Sequence, residues 1–377
     1  MRSLSVREQR ALLLLGCLWA AVVVPVGVHK GPDFVAELGQ AERLLHGRPL
    51  FEDVSTSLGL PWPPFSALAL VPFALVAAAS VPLAKACWAL AGVACVVWTG
   101  LAPQGLSARR ILLAVAAVGV PLETNFEYLN ISPVLLALAV AAALDLEAGR
   151  DIRAGVWIGL ATALKAFPGL LLLYLALRHR WRALVVGVST GLAATVLAVL
   201  PYGLRQVPPL LLKWVELARA GGWVVHVGNQ SLPAMLGRAE APATVALCAS
   251  VSLVVLAAVI VHSRVREARV IDEVGLVLVV SVLISPIAWS HYYPLMLPAW
   301  MTVLRLLPSR PGAGLAALIV AAGVGTSGVL TVWSRDLKLV LLGHSIFVWG
   351  ALALFAVLVW LLAATRVVPT RPWPLPT

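Results

Sequence analysis

Residues 11–28, ALLLLGCLWAAVVVPVGV, form an apolar run without a charge, and Lys30-Gly-Pro-Asp33-Phe34 follows it almost directly. A run of this length predicts a transmembrane helix, because about 20 apolar residues cross the hydrocarbon core. Asp33 then lies at the edge of the hydrocarbon, where an ionisable side chain is costly and by default indicates function. The simpler alternative is that Asp33 only caps a helix over 34–45. The same outer segment also carries Glu37, Glu42, Arg43, Glu52 and Asp53.

The composition of the whole chain is that of a polytopic membrane protein. Its 377 residues are 61% hydrophobic and 12% charged, with a mean hydropathy of +0.95, which excludes a soluble core. The formal net charge is +11, but the basic residues are dispersed between apolar runs, so we do not expect a nucleic-acid partner. The four cysteines lie inside apolar runs without metal-ligand spacing, which predicts packing residues and not disulfides: Cys17, Cys87, Cys95 and Cys248.

The chain begins with basic residues and an apolar run, as a signal peptide does. No small-residue cleavage site follows the run, and the chain continues as further spans. We therefore expect an uncleaved first helix.

Apolar runs recur along the whole chain and predict one all-α transmembrane domain, 1–377, with about twelve membrane-spanning helices. The predicted spans are 11–28, 83–101, 109–122, 131–146, 154–165, 167–178, 183–201, 243–262, 271–287, 291–307, 313–333 and 340–363. A break is expected at Lys165-Ala-Phe-Pro168, because proline removes a backbone donor and clashes with the preceding turn. A single kinked helix over 154–178 is the alternative.

The topology depends on one further apolar segment, 64–79, which starts at Pro61-Trp-Pro-Pro64. If it lies flat or re-enters, all of the arginine clusters fall inside, as the positive-inside rule requires. Counting it as a span and fusing 154–178 would instead leave two of these clusters outside. The clusters are Arg2, Arg7 and Arg10; Arg109 and Arg110; Arg150 and Arg153; Arg178, Arg180 and Arg182; Arg264, Arg266 and Arg269; Arg305 and Arg310; and Arg366 and Arg371.

The first arrangement predicts a multi-pass protein of the cell inner (plasma) membrane with both termini in the cytoplasm. Two long segments, 29–82 and 202–242, then lie outside with several short turns, among them 122–130, 287–292 and 334–339. The second long segment also predicts an interfacial helix over 210–220. Because the unusual polar residues lie in these outer segments, we expect a site that faces outward.

The outer segments carry side chains suited to a sugar and a phosphate. Amides and carboxylates bind sugar hydroxyls, aromatic rings cover the apolar faces of sugars, and cations bind phosphate. The outward groups are Asp33, Glu123, Asn125, Glu127, Tyr128, Asn130, Lys165, His226, Asn229, Gln230, Arg238, Trp289, His291 and Tyr292. Sequence alone does not bring these groups together.

Three of these signals have structural alternatives. Lys165 interrupts an apolar run and is a phosphate candidate, but a lysine there also reaches the headgroups or pairs with Glu123 or Glu127. His291 is suited to donate to a phosphate oxygen or to move a proton, although an isolated histidine beside aromatic residues is commonly interfacial. Gly228-Asn-Gln-Ser-Leu232 suits hydroxyl recognition or forms an ordinary polar loop.

In this order the motifs resemble those of the GT-C-type integral membrane glycosyltransferases, and specifically the polyprenyl-phosphate-sugar-dependent family 87. The motifs extend through most of the chain. They are Asp33 with Gln40-Ala41-x-x-Leu44-Leu45-x-Gly47-x-x-Leu50-Phe51, Trp62-Pro-Pro64, Lys165-x-x-Pro168 with Arg180-Trp-Arg182, Gly228-Asn-Gln-Ser231, and Ser285-Pro-x-x-Trp289-x-His291-Tyr292. The family's Gly-Gln-x-Asn pattern is replaced here by Asn125-Phe-Glu-Tyr-Leu-Asn130, which leaves the sugar and the acceptor open.

The resemblance implies a GT-C fold and an inverting transfer of a hexose, with mannose first, from a polyprenyl-phosphate donor to a glycolipid or polysaccharide in the membrane. Asp33 is then the general base, and Lys165, His291 and Tyr292 are the residues for the donor phosphate. The expected sugar and acceptor residues are Asn125, Glu127, Asn130, Asn229, Gln230 and Trp289. No cofactor or metal is expected, because fixed cations neutralise the phosphate; a chelator that abolished activity would contradict this.

Three other functions share these features. A lipid-linked sugar flippase or transporter also has many helices and charges at cavity depth, although the long outer segments here have no counterpart in a second half. An arabinofuranosyltransferase differs only in the sugar. An envelope-polymer ligase uses a similar donor, but we would expect more outer arginines than Arg205, Arg219 and Arg238.

Overall fold

The computed structural model describes residues 4–51, 62–102, 105–220, 225–263 and 269–364. Within them the chain forms eighteen α-helices joined by turns and short 3-10 segments. The helices are α1 (Val6–His29), α2 (Pro32–Leu45), α3 (Pro64–Ala79), α4 (Val81–Leu101), α5 (Ala108–Ala116), α6 (Gly119–Tyr128), α7 (Ser132–Glu147), α8 (Asp151–Leu164), α9 (Leu170–Leu177), α10 (Trp181–Val199), α11 (Val207–Ala220), α12 (Leu232–Arg238), α13 (Ala243–Ser263), α14 (Val270–Ile284), α15 (Leu297–Leu306), α16 (Ala313–Ser327), α17 (Arg335–Gly343) and α18 (Ile346–Ala364). Several charged residues discussed above lie outside the described residues: Arg2, Glu52, Asp53, Arg264, Arg266, Arg366 and Arg371.

Five of these helices are long and apolar enough to cross a membrane: Val6–His29, Val81–Leu101, Trp181–Tyr202, Ala243–Ser263 and Ile346–Ala364. A sixth span is added if the bent pair α5 and α6 is counted as one. The protein is therefore a multi-pass membrane protein. Other predicted spans form shorter helices; α3, for example, packs against α2, α4 and α10.

The predicted break at Lys165 is confirmed. α8 ends at Leu164, Lys165 has an extended backbone, and a 3-10 turn over Phe167–Gly169 leads into α9. Pro168 lies inside this turn, where a continuous helix would need a backbone donor that proline lacks. The break leaves Lys165 outside both helices. The predicted helix over 210–220 is also present, since α11 covers 207–220. The four cysteines are unpaired, but Cys17 and Cys248 are exposed, so these two are not the packing residues that were expected.

Three predicted boundaries were wrong. The expected span 109–122 and the turn 122–130 form α5 and α6, bent by 66°, because α6 continues through the polar residues and ends at Leu129 in a left-handed cap. The expected span 291–307 starts as a 3-10 segment over Ser290–Met296, since prolines recur at 294 and 298. The expected turn 334–339 lies in α17, which Ser334 caps.

Acidic side chains near the ends of α7 and α14 pair with arginines from other elements. Arg178 Nε lies 3.0 Å from Glu273 Oε2, Arg269 pairs with Glu147, and Arg305 pairs with Asp272. Glu273 and Asp272 are buried, and a buried carboxylate needs such a partner. These arginines, expected mainly as orientation signals, therefore also hold helix ends together.

Helices α8 and α10 approach each other closely at glycines spaced by four. A Cβ added to Gly159 would lie 2.5 Å from Gly187 O, and one added to Gly155 would lie 2.5 Å from Ala183 O. Small residues at this spacing let two helix backbones come together. The contact fixes α8, and with it the break that carries Lys165.

Replacing Gly159 by alanine is expected to destabilise the protein by about 1 to 3 kcal/mol, because the new methyl group overlaps the α10 backbone. Thermal unfolding in detergent measures the loss. The control is Gly314→Ala in α16, where an added Cβ meets nothing within 4 Å and alanine favours the helix. Equal melting temperatures for the two variants would contradict this account of the α8 and α10 contact.

Candidate active site

The turn between α1 and α2 presents Asp33. Gly31 precedes α2 with a positive φ of 53°, a conformation that glycine adopts without strain. Its N–H donates to Glu127 O at 2.9 Å, and a Cβ there would lie 2.7 Å from Leu129 Cδ1. Pro32 then starts α2, where its missing N–H costs nothing. The local sequence therefore attaches Asp33 to the end of α6.

Two side chains of α4 hold this turn in place. Lys85 Nζ donates to Lys30 O at 2.8 Å and to Val28 O at 3.3 Å, which satisfies carbonyls at the end of α1. Trp88 Nε1 donates to Leu129 O at 2.9 Å. Lys85 and Trp88 thus fix both chain segments that meet at Asp33.

The Asp33 carboxylate is a quarter exposed, and one of its oxygens has a hydrogen-bond partner and a neighbouring imidazole. Asn130 Nδ2 donates to Oδ2 at 2.7 Å, and His291 Nε2 lies 3.7 Å from Oδ2. The helix α2 has no side-chain cap, and Gly31 stands at the cap position. The capping alternative is therefore wrong, because Asp33 lies within the first turn and binds across to another segment.

His291 is buried beside Asp33, outside the five spans. Its ring lies 5.2 Å from the ring of Tyr128 and 4.9 Å from that of Tyr292, and Asn125 Nδ2 donates to its carbonyl oxygen at 3.1 Å. Burial lowers the pKa of His291 to about 4, although the nearby Asp33 carboxylate acts in the opposite direction. His291 is therefore neutral at neutral pH and does not offset the charge of Asp33.

Lys165 lies between two aromatic rings. Its Nζ is 4.9 Å from the centre of the Trp62 ring and 5.2 Å from that of Tyr292, distances typical of cation–π contacts. Burial lowers the pKa of Lys165 to about 8, while the Glu37 and Asp33 carboxylates oppose this change. Glu127 was one alternative partner for Lys165, but in the structure Glu127 pairs with Lys30 at 3.0 Å.

Glu37 completes this group, although sequence reasoning did not assign it to the site. Its Oε1 accepts a hydrogen bond from Trp62 N at 2.9 Å, and the side chain is buried. Burial raises the pKa of Glu37 to about 8. The missed signal was its spacing from Asp33, because residues four apart lie on one face of a helix.

The predicted sugar and acceptor residues fall into two groups. Asn130, Asn125 and Glu127 lie around Asp33 and His291, as described, and Tyr128 beside them is 39% exposed. The second group, Asn229, Gln230 and Trp289, joins two chain segments.

In this second group the amides bond to backbone. Asn229 Nδ2 donates to Pro286 O, and Asn229 Oδ1 accepts from Ala288 N, both at 2.9 Å. Gln230 Nε2 donates to Val227 O and Leu342 O. Both amides are fully buried. Their hydrogen bonds hold the backbone segment that leads through Trp289 to His291. In the structure these amides therefore stabilise the backbone of the site.

Within the described ranges, no three His, Cys, Asp or Glu side chains are grouped so that they could hold a metal ion. The charged groups described around this site are the Asp33 and Glu37 carboxyl groups on α2, the Lys165 ammonium, and the Lys30 and Glu127 pair.

Comparison with known proteins gives one family match. The profile of Glycosyltransferase family 87 matches residues 61–286, a range that includes Lys165 and lies between Asp33 and His291. No solved structure matches the chain.

Several curated relatives align over most of the chain. One is a polyprenol-phosphate-mannose-dependent alpha-(1-2)-phosphatidylinositol mannoside mannosyltransferase of Mycobacterium tuberculosis (strain ATCC 25618 / H37Rv), 28% identical over 88% of this chain and 84% of the relative. The protein of the same name from Mycolicibacterium smegmatis is 29% identical over 87% of this chain and 81% of the relative. A pentamannoside mannosyltransferase of M. smegmatis is 26% identical, covering 80% and 77%. The family profile matches residues 61–286, which is more than half of this chain. The chain therefore belongs to glycosyltransferase family 87.

Proposed function

We propose that this glycosyltransferase moves mannose from a polyprenyl-phosphate donor to a hydroxyl group of a glycolipid or polysaccharide. The relatives named above are polyprenol-phosphate-mannose-dependent mannosyltransferases, which supports the donor and the sugar. Their names include phosphatidylinositol mannoside, so a glycolipid of that class is the first acceptor to test. We further propose a GT-C fold and an active site on the outer face of the plasma membrane.

The observation that carries this proposal is the placement of Asp33. Asn130 and His291 both contact Oδ2, which leaves Oδ1 for the acceptor hydroxyl. Asp33 removes the hydroxyl proton as the acceptor oxygen attacks the anomeric carbon. The bond from that carbon to the phosphate oxygen breaks, the configuration inverts, and the lipid phosphate leaves with both bonding electrons.

The departing phosphate needs positive charge, and we assign that role to Lys165. A fixed cation in a site that excludes water stabilises developing charge more strongly than it would in water. Tyr292 packs against Lys165, and burial raises the pKa of its phenol, so it stays a neutral hydrogen-bond donor for the phosphate. His291 lies beside Asp33, and the geometry favours a role in orienting the base over direct phosphate binding.

Glu127, Tyr128 and Lys30 form the exposed rim next to Asp33. An aromatic ring and an ion pair at this position suit the ring face and the hydroxyls of a sugar. We propose that the acceptor sugar enters over this rim, with Asn125 and Asn130 holding the segments beneath it.

The test is a transfer assay with the purified protein in nanodiscs, radiolabelled polyprenyl-phosphate-mannose and a phosphatidylinositol mannoside acceptor. We expect labelled glycolipid, and little transfer from polyprenyl-phosphate-arabinose. Preferred transfer of arabinose would favour the arabinofuranosyltransferase alternative. The flippase alternative requires no transfer, with labelled donor lipid instead crossing the bilayer of proteoliposomes.

A further inference from the structure

Glu37 has an environment that its structural contact explains only in part. Its Oε1 accepts a hydrogen bond from Trp62 N, but its Oε2 is buried and has no hydrogen-bond partner in the described part of the chain. A buried carboxylate oxygen without a partner is costly. The Trp62 contact therefore accounts for only one of the two carboxyl oxygens of Glu37.

The same tryptophan connects Glu37 to the phosphate candidate. Trp62 N binds Glu37, and the Trp62 ring lies under Lys165 Nζ at 4.9 Å. In the described part of the chain Lys165 Nζ has no hydrogen-bond acceptor, and its contacts are the rings of Trp62 and Tyr292. Lys165 is half-buried, and rings alone compensate only part of the cost of removing an ammonium group from water. A nearby carboxyl group supplies negative charge once it ionises.

Glu37 also shares a helix face with the proposed base. Residues four apart on α2 lie one turn apart on the same side, so Asp33 and Glu37 both face the Lys165 region. The nearby charges that influence Lys165 are those of Glu37 and Asp33. His291 and Tyr292 are the other titratable groups at this position, and both are neutral at neutral pH. Helix α2 thus carries two carboxyl groups: Asp33, which we assign to the acceptor hydroxyl, and Glu37, which lies near the Lys165 cation.

We propose that Glu37 is a positioning residue for the donor phosphate: it fixes Trp62 under Lys165 and supplies the counter-charge of the Lys165 ammonium. This inference rests on the proposed function. As the pH rises, Glu37 gives up a proton and its negative charge holds the proton of Lys165. The ammonium is then present when the negatively charged phosphate of the donor enters.

The sign of the pH effect follows from these charges. Burial favours neutral Lys165, and the Glu37 carboxylate opposes it. Removing the carboxylate therefore lowers the pKa of Lys165, so the cation is lost at a lower pH. Donor binding should therefore weaken at alkaline pH. At acid pH, where Lys165 is charged in both proteins, donor binding should change less.

The experiment measures kcat/KM for the polyprenyl-phosphate-mannose donor against pH for the full-length protein and for Glu37→Gln. Glutamine keeps an oxygen for Trp62 N but removes the charge. We expect the alkaline midpoint to fall by about one pH unit, the size of one ion-pair effect on a pKa, mainly through donor KM. The matched control is Glu42→Gln, an exposed carboxylate on the same helix, which should leave the midpoint unchanged.

A second pair of variants separates charge from packing. Lys165→Arg keeps its charge at all pH values, so adding Glu37→Gln to it should not move the alkaline limb. If Glu37→Gln does not fold, Glu37→Asp serves instead, because it withdraws the charge by one methylene and should shift the midpoint less but in the same direction.

A folded Glu37 variant whose kcat/KM falls equally at all pH values would overturn this inference and leave the proposed function intact. Absence of transfer by the unmodified protein would overturn the proposed function itself. The two failures are therefore distinguishable in one set of assays.

Discussion

Asp33→Asn is expected to lower kcat for sugar transfer by about a hundredfold to ten-thousandfold, the usual contribution of a general base. Asparagine has nearly the shape of aspartate and can still accept the Asn130 hydrogen bond, but it cannot take the acceptor proton. Because we assign the donor phosphate to Lys165 and Tyr292, donor binding should change little. The measurement is transfer of radiolabelled mannose, with donor binding followed separately in the same nanodiscs.

The control for this variant is Asp336→Asn, which removes an aspartate from the first turn of α17. Its transfer rate should equal that of the unmodified protein. Size-exclusion profiles and melting temperatures must match before the rates are compared. Full activity of a folded Asp33→Asn protein would rule out Asp33 as the base.

Lys165→Met is expected to lower kcat/KM for the donor by about a hundredfold or more, the cost of losing one stabilising group for transition-state charge. Methionine fills a similar volume between Trp62 and Tyr292 but carries no charge. Donor KM should rise together with the fall in kcat, because the proposed role has Lys165 bind the phosphate both before and during its departure. Steady-state kinetics over a range of donor concentrations give both values.

Lys213→Met is the matched control, because Lys213 is an exposed lysine of α11 that pairs with Glu216. Partial activity of Lys165→Arg would support a requirement for charge at position 165. If Lys165→Met kept normal donor KM and kcat while folded, another group would have to hold the phosphate.

Much of the local structure could be predicted from the sequence. The break at Lys165 follows from Pro168. The helix over 34–45 was also predicted, although it begins two residues earlier, at Pro32, and so includes Asp33. These features depend on neighbours within one or two turns, so local chemistry decides them. The boundaries that failed, at α6 and at Ser290–Met296, lie where tertiary hydrogen bonds from Asn125 and Gly31 stabilise backbone that composition marks as turn.

The candidate site was predictable as a set of residue types but not as an arrangement. Asp33, Lys165 and His291 were each singled out because a charge or an imidazole stands out in an apolar chain. Glu37 was left out, although its spacing from Asp33 was visible, because it looked like one of several loop charges. Asn229 and Gln230 looked like ligands of a sugar, but their amides bond to backbone.

The sequence by itself therefore determined the class of protein, the break that carries Lys165 and the residues that do not belong in an apolar environment. Only the tertiary structure decided that Asn130, 97 residues away, and His291 meet one oxygen of Asp33, and that Trp62 joins Glu37 to Lys165. Hydrophobic periodicity reports which face of a helix is buried. It does not report which distant segment the face meets, because that depends on how all of the helices pack together.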